Sequence, residues 1–218
     1  WLRKISAGIR ERVSEISALI VAEGGKAAAF AANITKADEC VAMIEAAKAR
    51  WPRIDIVVNN AGYAKRTPVQ DITTEEFDDI VAINMRSVFL SCQVFADHMR
   101  SNGWGRIVNI TSLAGQNGGT VASAHYAAAK AGATMLSKYF AQQLAGTGVT
   151  VNAIAPGPIS TAKGRLSQEQ IERIEKLVPI GRFGEASEFA AAVALLASDQ
   201  GGFFVGATLD MNGGLFMR

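Results

Sequence analysis

The chain has 218 residues, of which 49% are hydrophobic and 19% are charged, a composition typical of one globular domain with a sizeable buried core. The formal net charge is only +2 and the charges are mixed along the chain, so the sequence does not favour a nucleic-acid partner. No apolar stretch reaches the roughly 18 residues of a membrane span, and no secretory signal pattern opens the chain, which argues against a membrane partner.

Short apolar runs alternate with longer stretches of helical periodicity. Strands are predicted at 28–34, 54–58, 106–110, 149–154 and 207–211. Helices are predicted at 36–49, 73–99, 123–145, 167–177 and 186–197, and two of them begin with a capping signature, Thr73 with Glu76 and Ser167 with Gln170. This alternation predicts a parallel sheet with helices on both faces, a doubly wound α/β fold in a single domain over 1–218.

The two cysteines, Cys40 and Cys92, are far apart in the sequence, and each lies in an apolar helical pattern. This predicts reduced, buried thiols and a cytoplasmic protein. The two histidines, His98 and His125, form no Cys/His cluster at ligand spacing, so we predict no metal site.

Three predicted strands end in polar or glycine-containing turns. Residues 59–62 follow one strand, Thr111 and Ser112 follow the next, and Pro156 and Gly157 follow the third. Ligands of parallel sheets bind outside the carboxyl ends of the strands. The three turns are therefore expected to open on one rim and to form a binding site.

A tyrosine and a lysine four residues apart, Tyr126 and Lys130, lie in the alanine-rich stretch HYAAAK. On a helix this spacing places both on one face, and the alanines leave room for close approach by another molecule. Taken alone, the pair has a common alternative interpretation as an ordinary amphipathic surface.

The motifs taken together resemble those of the short-chain dehydrogenase/reductase family. They occur in the family's order and approximate spacing from about residue 26 to the end: NNAG at 59–62, Asn84 in INM, Ser112 in ITSLAG, the Tyr126–Lys130 pair, PGPIST at 156–161 and NGG at 212–214. The overall pattern is similar to the acyl-thioester reductase branch, which includes 3-oxoacyl-carrier-protein reductases.

The resemblance implies a Rossmann-like fold and an enzyme that transfers hydride between a nicotinamide and a carbonyl or secondary alcohol. A 3-oxoacyl thioester is one candidate substrate, and a sugar, polyol or other alcohol is the alternative. Two competing interpretations are a catalytically silent dinucleotide-binding sensor or scaffold and, less favoured for so short a chain, a sugar-nucleotide epimerase.

The implied catalytic roles involve four residues. Tyr126 would protonate the new alkoxide, and the Lys130 ammonium would lower the pKa of this phenol from about 10 towards the working pH. Ser112 would donate a hydrogen bond to the developing oxyanion. By the same resemblance, Asn84 would hold a water that links Lys130 to solvent as a proton relay.

The resemblance also implies which residues contact the cofactor. Asn33, where the family commonly has Asp, and Ile34 would lie at the adenine, and Lys130 would bind the nicotinamide ribose beside Tyr126. The remaining contacts come from two turns, on the adenosine side from Asn60, Ala61 and Gly62 and at the nicotinamide end from Pro156, Gly157, Ile159 and Thr161. The cofactor is NADP or NAD, and Arg10 and Arg12 slightly favour NADP.

The glycine-rich turn that follows the first strand in the family is absent, because no GxxxGxG occurs in the sequence. Residues 1–20 instead keep the helical spacing of one long helix. Removing the central first strand of a doubly wound sheet would expose two apolar edges. We therefore predict that the first strand and its turn are missing from this chain, with a gap in the backbone between Ile9 and Arg10.

Residues 158–182 are predicted to form a lid over the substrate, opposite a wall formed by 115–117. The apolar helices at 74–99 and 123–145 exceed what one subunit can bury. Pairing of these helices across a two-fold axis, as the resemblance also suggests, predicts a homotetramer built as a dimer of dimers.

Overall fold

Four parallel strands form the centre of the structure, a computed structural model that describes residues 2–119 and 123–218. The strands are paired in sequence order: β1 (Ile56–Asn59), β2 (Gly105–Ile110), β3 (Val149–Pro156) and β4 (Thr208–Met211). Every residue of β2 is buried, and so is every residue of β3 except its last, as expected for parallel strands covered on both faces. The prediction of a parallel α/β sheet is confirmed.

Helices lie on both faces of this sheet. In the described part of the chain the helices are α1 (Leu2–Ala22), α2 (Ala37–Arg50), α3 (Thr74–Val81), α4 (Ser87–Asn102), α5 (Ala114–Asn117), α6 (Ala124–Leu144), α7 (Gln168–Leu177) and α8 (Ala186–Ala197), of which α2, α4, α6 and α8 contribute to the core against the sheet. One core cluster joins Ile107 of β2 to residues of α2, α4 and α6, and a second joins Val108 to Leu196 of α8. Neighbouring residues of a strand point to opposite faces, so the two clusters are the two helical layers.

Both predicted helix starts are observed, but only one is a complete capping box. Ser167 and Gln170 bond reciprocally at the start of α7. At α3, the Thr73 hydroxyl accepts a hydrogen bond from the Glu76 N–H, and the Glu76 side chain bonds elsewhere.

The predicted helix over 73–99 contains a π-helical turn, Ala82–Arg86, between α3 and α4. The whole run, Thr74–Asn102, has 29 residues and is long and apolar enough to cross a membrane, contrary to the sequence prediction. Half of its most apolar 18-residue window is buried, and Cys92 and Met99 are fully inside the core. A helix in the core of a protein that does not span a membrane is buried in the same way.

The predicted strand over 28–34 is wrong, because residues 25–33 form neither helix nor strand. A parallel strand needs a hydrogen-bonded neighbour, and no strand precedes Ile56 in the described residues. The sheet therefore ends at β1, where Ile56 and Val58 are 46% and 41% exposed. A cavity of about 600 Å³ lies along this edge, lined by Phe30, Met43 and other residues.

The predicted gap between Ile9 and Arg10 is also wrong, since both residues lie inside the continuous helix α1. The prediction that the first strand is missing agrees with the described residues, in which β1 is the first strand.

The turn before β3 predicts a difference between two glycine substitutions. Gly146 and Gly148 both have φ near +80°, but a Cβ at Gly146 meets nothing within 4 Å, whereas one at Gly148 would lie 2.0 Å from the Gly103 carbonyl oxygen. We expect Gly146→Ala to cost about 1–2 kcal/mol of unfolding free energy through backbone strain alone. Gly148→Ala should cost about 1–3 kcal/mol more through the clash. Urea unfolding of both variants checks this, and equal costs would contradict it.

Candidate active site

The turn after β2 carries Ser112 and is held by β3. The Thr111 N–H donates to the Ile154 carbonyl at 2.8 Å, and the Leu113 N–H donates to the Pro156 carbonyl at 3.0 Å. The Ser112 hydroxyl accepts from the Ala114 N–H at 3.1 Å, which fixes the start of the short helix α5. The serine therefore lies at the carboxyl end of the sheet, as predicted.

Helix α6 brings Tyr126 and Lys130 to the same place. Lys130 is only 3% exposed, and its ammonium donates to the Ile110 carbonyl of β2 at 2.8 Å. The same nitrogen lies 5.8 Å from the centroid of the Tyr126 ring, and Tyr126 hydrogen-bonds Ser112. The three residues predicted from separate motifs are thus neighbours in space.

The expected effect of Lys130 on Tyr126 is not found. Burial raises the pKa of Tyr126 above its ordinary value, and the hydrogen bond from Ser112 opposes this only in part. Burial also lowers the pKa of Lys130 to about 8. Removal from water penalises the charged form of each group, and this outweighs the attraction that we expected between them.

Asn84 lies in the π-helical turn and is fully buried. Its amide nitrogen donates to the carbonyls of Tyr63 and Ile80 at 2.8 and 3.0 Å, and its amide oxygen accepts from the Tyr63 N–H at 3.2 Å. Asn84 therefore holds the chain that leaves the 59–62 turn. A π-helical turn often marks a functional site, and here it aims this amide at the loop.

Most of the residues predicted to contact the cofactor lie in two places, beside β1 and in the turn after β3. Ile34, Asn60 and Ala61 line the cavity beside β1. Pro156 ends β3 and Gly157 follows it, and the Gly157 N–H donates to the Met211 carbonyl at 2.9 Å. Two further residues of that turn follow: Ile159, which bridges to Gly184, and the exposed Thr161.

Asn33 is the predicted contact with the least support. It is exposed, and its amide oxygen accepts from the N–H and the hydroxyl of Thr35 at 3.1 and 2.8 Å. Its backbone N–H donates to Glu39. The side chain thus closes its own turn.

Two groups were missed by sequence reasoning. His125 received no role, yet it is fully buried, and its Nε2 lies 3.0 Å from the Glu76 carboxylate. Glu76 was predicted only as a helix-capping residue. The Thr73–Glu76 signature gave no sign of this contact, because the two partners are 49 residues apart in the sequence.

Both cysteines are buried and free, as predicted. Burial raises the pKa of Cys92 to about 12, which makes its thiol unreactive.

Known proteins are similar to this one over most of the chain. Residues 5–216 match the family model described as enoyl-(acyl carrier protein) reductase. The chain belongs to the short-chain dehydrogenase/reductase family.

This short-chain dehydrogenase/reductase is 36% identical over 212 residues to a 3-oxoacyl-[acyl-carrier-protein] reductase of Staphylococcus epidermidis, which covers 97% of this chain and 86% of the relative. It is 40% identical over 186 residues to an acetoacetyl-CoA reductase of Rhizobium meliloti, over 84% and 77% of the two chains. A crystal structure of a protein assigned as a gluconate dehydrogenase from Agrobacterium tumefaciens superposes with a TM-score of 0.87 at 26% identity, over 94% and 82%.

Membership of the short-chain dehydrogenase/reductase family confirms the Rossmann-like fold and the prediction of an NAD(P)-dependent oxidoreductase. Residues that could hold the nicotinamide end of such a cofactor lie together at the carboxyl end of the sheet. A Cβ at Gly62 would lie 2.9 Å from Asn84 Oδ1 and 3.2 Å from Lys130 Nζ, so a glycine is needed for the 59–62 turn to lie this close to the amine. The glycine turn that would hold the pyrophosphate has no counterpart in the sequence.

Lys130 predicts an unusual dependence of stability on pH. Its folded pKa of about 8 lies below the ordinary value of 10.5, so between these values the unfolded chain binds more protons than the folded chain. Stability is therefore expected to rise with pH between about 8 and 9, by on the order of 1 kcal/mol, and to level off above pH 9, where the raised pKa of Cys92 acts in the opposite direction. Urea unfolding should show the rise in the wild type and in Lys138→Met, an exposed control on the same helix. A rise that persists in Lys130→Met would contradict its origin.

Proposed function

We propose that the protein reduces the carbonyl of a 3-oxoacyl thioester to a secondary alcohol, with NADP preferred to NAD. The observation that carries this proposal is the hydrogen-bonded pair of Ser112 and Tyr126 beside the buried Lys130 amine. The substrate class is supported by relatives named as reductases of 3-oxoacyl-[acyl-carrier-protein] and acetoacetyl-CoA. The cofactor preference rests on Arg10 and Arg12, two cations in α1.

The chain's own residues supply binding and proton transfer, while the nicotinamide supplies the hydride when it is bound. Ser112 polarises the carbonyl oxygen with its hydroxyl, and Tyr126 gives that oxygen a proton as negative charge develops. A phenol with a raised pKa is protonated at neutral pH and is therefore ready to act as an acid.

Lys130 restores the proton of Tyr126. Its pKa of about 8 is close to neutrality, so the amine gains and loses a proton at little cost, unlike an ordinary lysine. Asn84 holds the Tyr63 backbone near this amine and, in our proposal, orders a water that connects Lys130 to solvent.

The proposed lid is residues 158–182. It contains the 3₁₀ turn Ser160–Arg165 and helix α7, which are joined by a contact of 2.9 Å between Lys163 and Glu175. The Ser160 N–H donates to the Gly184 carbonyl at 2.8 Å, so the segment has a fixed base. Movement about this base would close the site on the substrate.

A sugar or polyol dehydrogenase is the second candidate. It is favoured by the structural similarity to the protein assigned as a gluconate dehydrogenase. Both candidate reactions would use the same active-site residues, so the two are distinguished by the substrates that the enzyme accepts. In either case we propose a cytoplasmic enzyme with no membrane or nucleic-acid partner.

The enzyme is expected to lose turnover in Tyr126→Phe, by about a hundredfold or more, because the acid is removed. Cofactor binding should persist, since the ring remains. The measurement is the absorbance of NADPH and NADH, each with a panel of 3-oxoacyl thioesters, ketoses and polyols, together with cofactor fluorescence. Tyr139→Phe, an exposed tyrosine on the same helix, is the control. Undiminished turnover in Tyr126→Phe would exclude the acid role.

We further propose a homotetramer in which α4 and α6 pair across a two-fold axis. On these helices Phe89 and Met135 are 38% and 61% exposed. A single subunit therefore leaves apolar side chains of both helices in contact with water. Light scattering should report a tetramer for the wild type and a smaller species for Met135→Lys, because an unpaired charge would be buried. A wild-type monomer, or an unchanged tetramer in Met135→Lys, would contradict this interface.

A further inference from the structure

The first turn of α6, which carries Tyr126, is capped in an unusual way. At a helix start, the N-cap side chain normally accepts a hydrogen bond from the N–H two or three positions later. The N-cap here is Ser123, but its hydroxyl makes no such bond. It accepts from the Thr67 N–H at 2.6 Å and faces the carbonyls of Lys65 and Thr67 at 2.8 and 3.0 Å.

His125 takes over this capping function. The residue three positions after the N-cap is Tyr126 itself, and its N–H donates to His125 Nδ1 at 3.0 Å while also reaching the Ser123 carbonyl at 3.1 Å. The backbone of the proposed acid is thus held by the ring of its neighbour.

The second ring nitrogen of His125 is used as well. Nε2 lies 3.0 Å from a carboxylate oxygen of Glu76, and the ring is fully buried. Because Nδ1 accepts a hydrogen bond, Nε2 must carry the proton and donate it to Glu76. A single neutral tautomer therefore satisfies both contacts.

Glu76 extends the network to the loop that leaves the 59–62 turn. Its carboxylate is paired with the Lys65 ammonium and accepts from the Thr67 hydroxyl at 2.5 Å. These bonds, that of Lys65 first, hold the pKa of Glu76 at about 2, so the carboxylate is charged throughout the working range. Residues 65–67 are consequently fixed to α3 through Glu76 and to α6 through Ser123.

We propose that His125 and Glu76 are positioning residues that fix the Tyr126 backbone against the cofactor-binding turn. The two are joined through residues 63–67, which continue directly from Asn60, Ala61 and Gly62. This inference rests on the proposed function, because Tyr126 is the residue being placed. If Tyr126 were displaced, it would lose its hydrogen bond to Ser112. Its hydroxyl would also no longer lie at the correct distance from the bound cofactor.

Three variants test the proposal. His125→Leu removes both ring contacts, whereas His125→Asn keeps an acceptor near the position of Nδ1 and loses only the link to Glu76. His98→Leu is the matched control, because the His98 ring also accepts from a backbone N–H, that of Ile54 at 3.2 Å, and it belongs to another part of the fold.

We expect kcat to fall about tenfold in His125→Leu, the scale of one lost buried hydrogen bond, and to be partly restored in His125→Asn. His98→Leu should lose stability without loss of kcat per folded molecule. The control and the variant are compared at equal folded fractions by circular dichroism. Unchanged kcat in His125→Leu, or an equal fall in His98→Leu, would overturn the proposal.

A second readout separates this proposal from the proposed function. The titration of the Tyr126 phenol, taken as the ultraviolet difference between each variant and the same variant with Tyr126→Phe, should shift upward in His125→Leu because the Ser112 bond is weakened. This measurement needs no substrate. A shift without measurable turnover would uphold the positioning role and reject the reaction, and no shift would reject the positioning role.

Where His125→Leu does not fold, Glu76→Gln replaces it. The amide keeps an acceptor oxygen for His125 and Thr67 but loses the charge that faces Lys65. We expect a smaller upward shift of the Tyr126 titration, about threefold lower kcat and weaker cofactor binding. Wild-type values of all three would overturn the proposal.

Discussion

A buried ammonium held by a strand carbonyl is the interaction on which the site depends. Lys130 reaches from α6 to the Ile110 carbonyl at the end of β2, and this bond compensates part of the cost of removing the charge from water. It requires α6 to pass close to the turn after β2. Gly115 allows that passage, since a Cβ there would lie 2.7 Å from the backbone of Lys130 and Ala131.

The same burial sets the proton chemistry. From the sequence we expected a charged lysine to acidify a nearby phenol, which is an effect between two charges. In the structure the larger effect is the loss of water around each group, so the pKa of Tyr126 is higher and the pKa of Lys130 is lower than in solution. A weak acid next to an amine that releases its proton near neutral pH can still deliver a proton to the substrate. A newly formed alkoxide is far more basic than the phenolate of Tyr126 or the neutral amine of Lys130.

The predictable parts of the fold are those fixed by local pattern. The apolar runs at 106–110 and 149–154 form central strands because their residues can be buried on both faces. Ser112 could be placed at the site from the sequence because ligands of parallel sheets bind at the carboxyl ends of the strands. The run at 28–34 has the composition of a strand, but a strand also needs a neighbour, which the sequence pattern does not contain. The π-helical turn at Asn84 inserts one residue into a helical period that otherwise continues, so periodicity did not reveal it.

Titration of the Lys130 side chain by nuclear magnetic resonance, with its signal assigned through Lys130→Met, tests the central claim most directly. We predict a midpoint near pH 8, as expected for an amine shielded from water. A midpoint at the ordinary value of 10.5 would mean that the ammonium is solvated, and the buried pair described above would not exist.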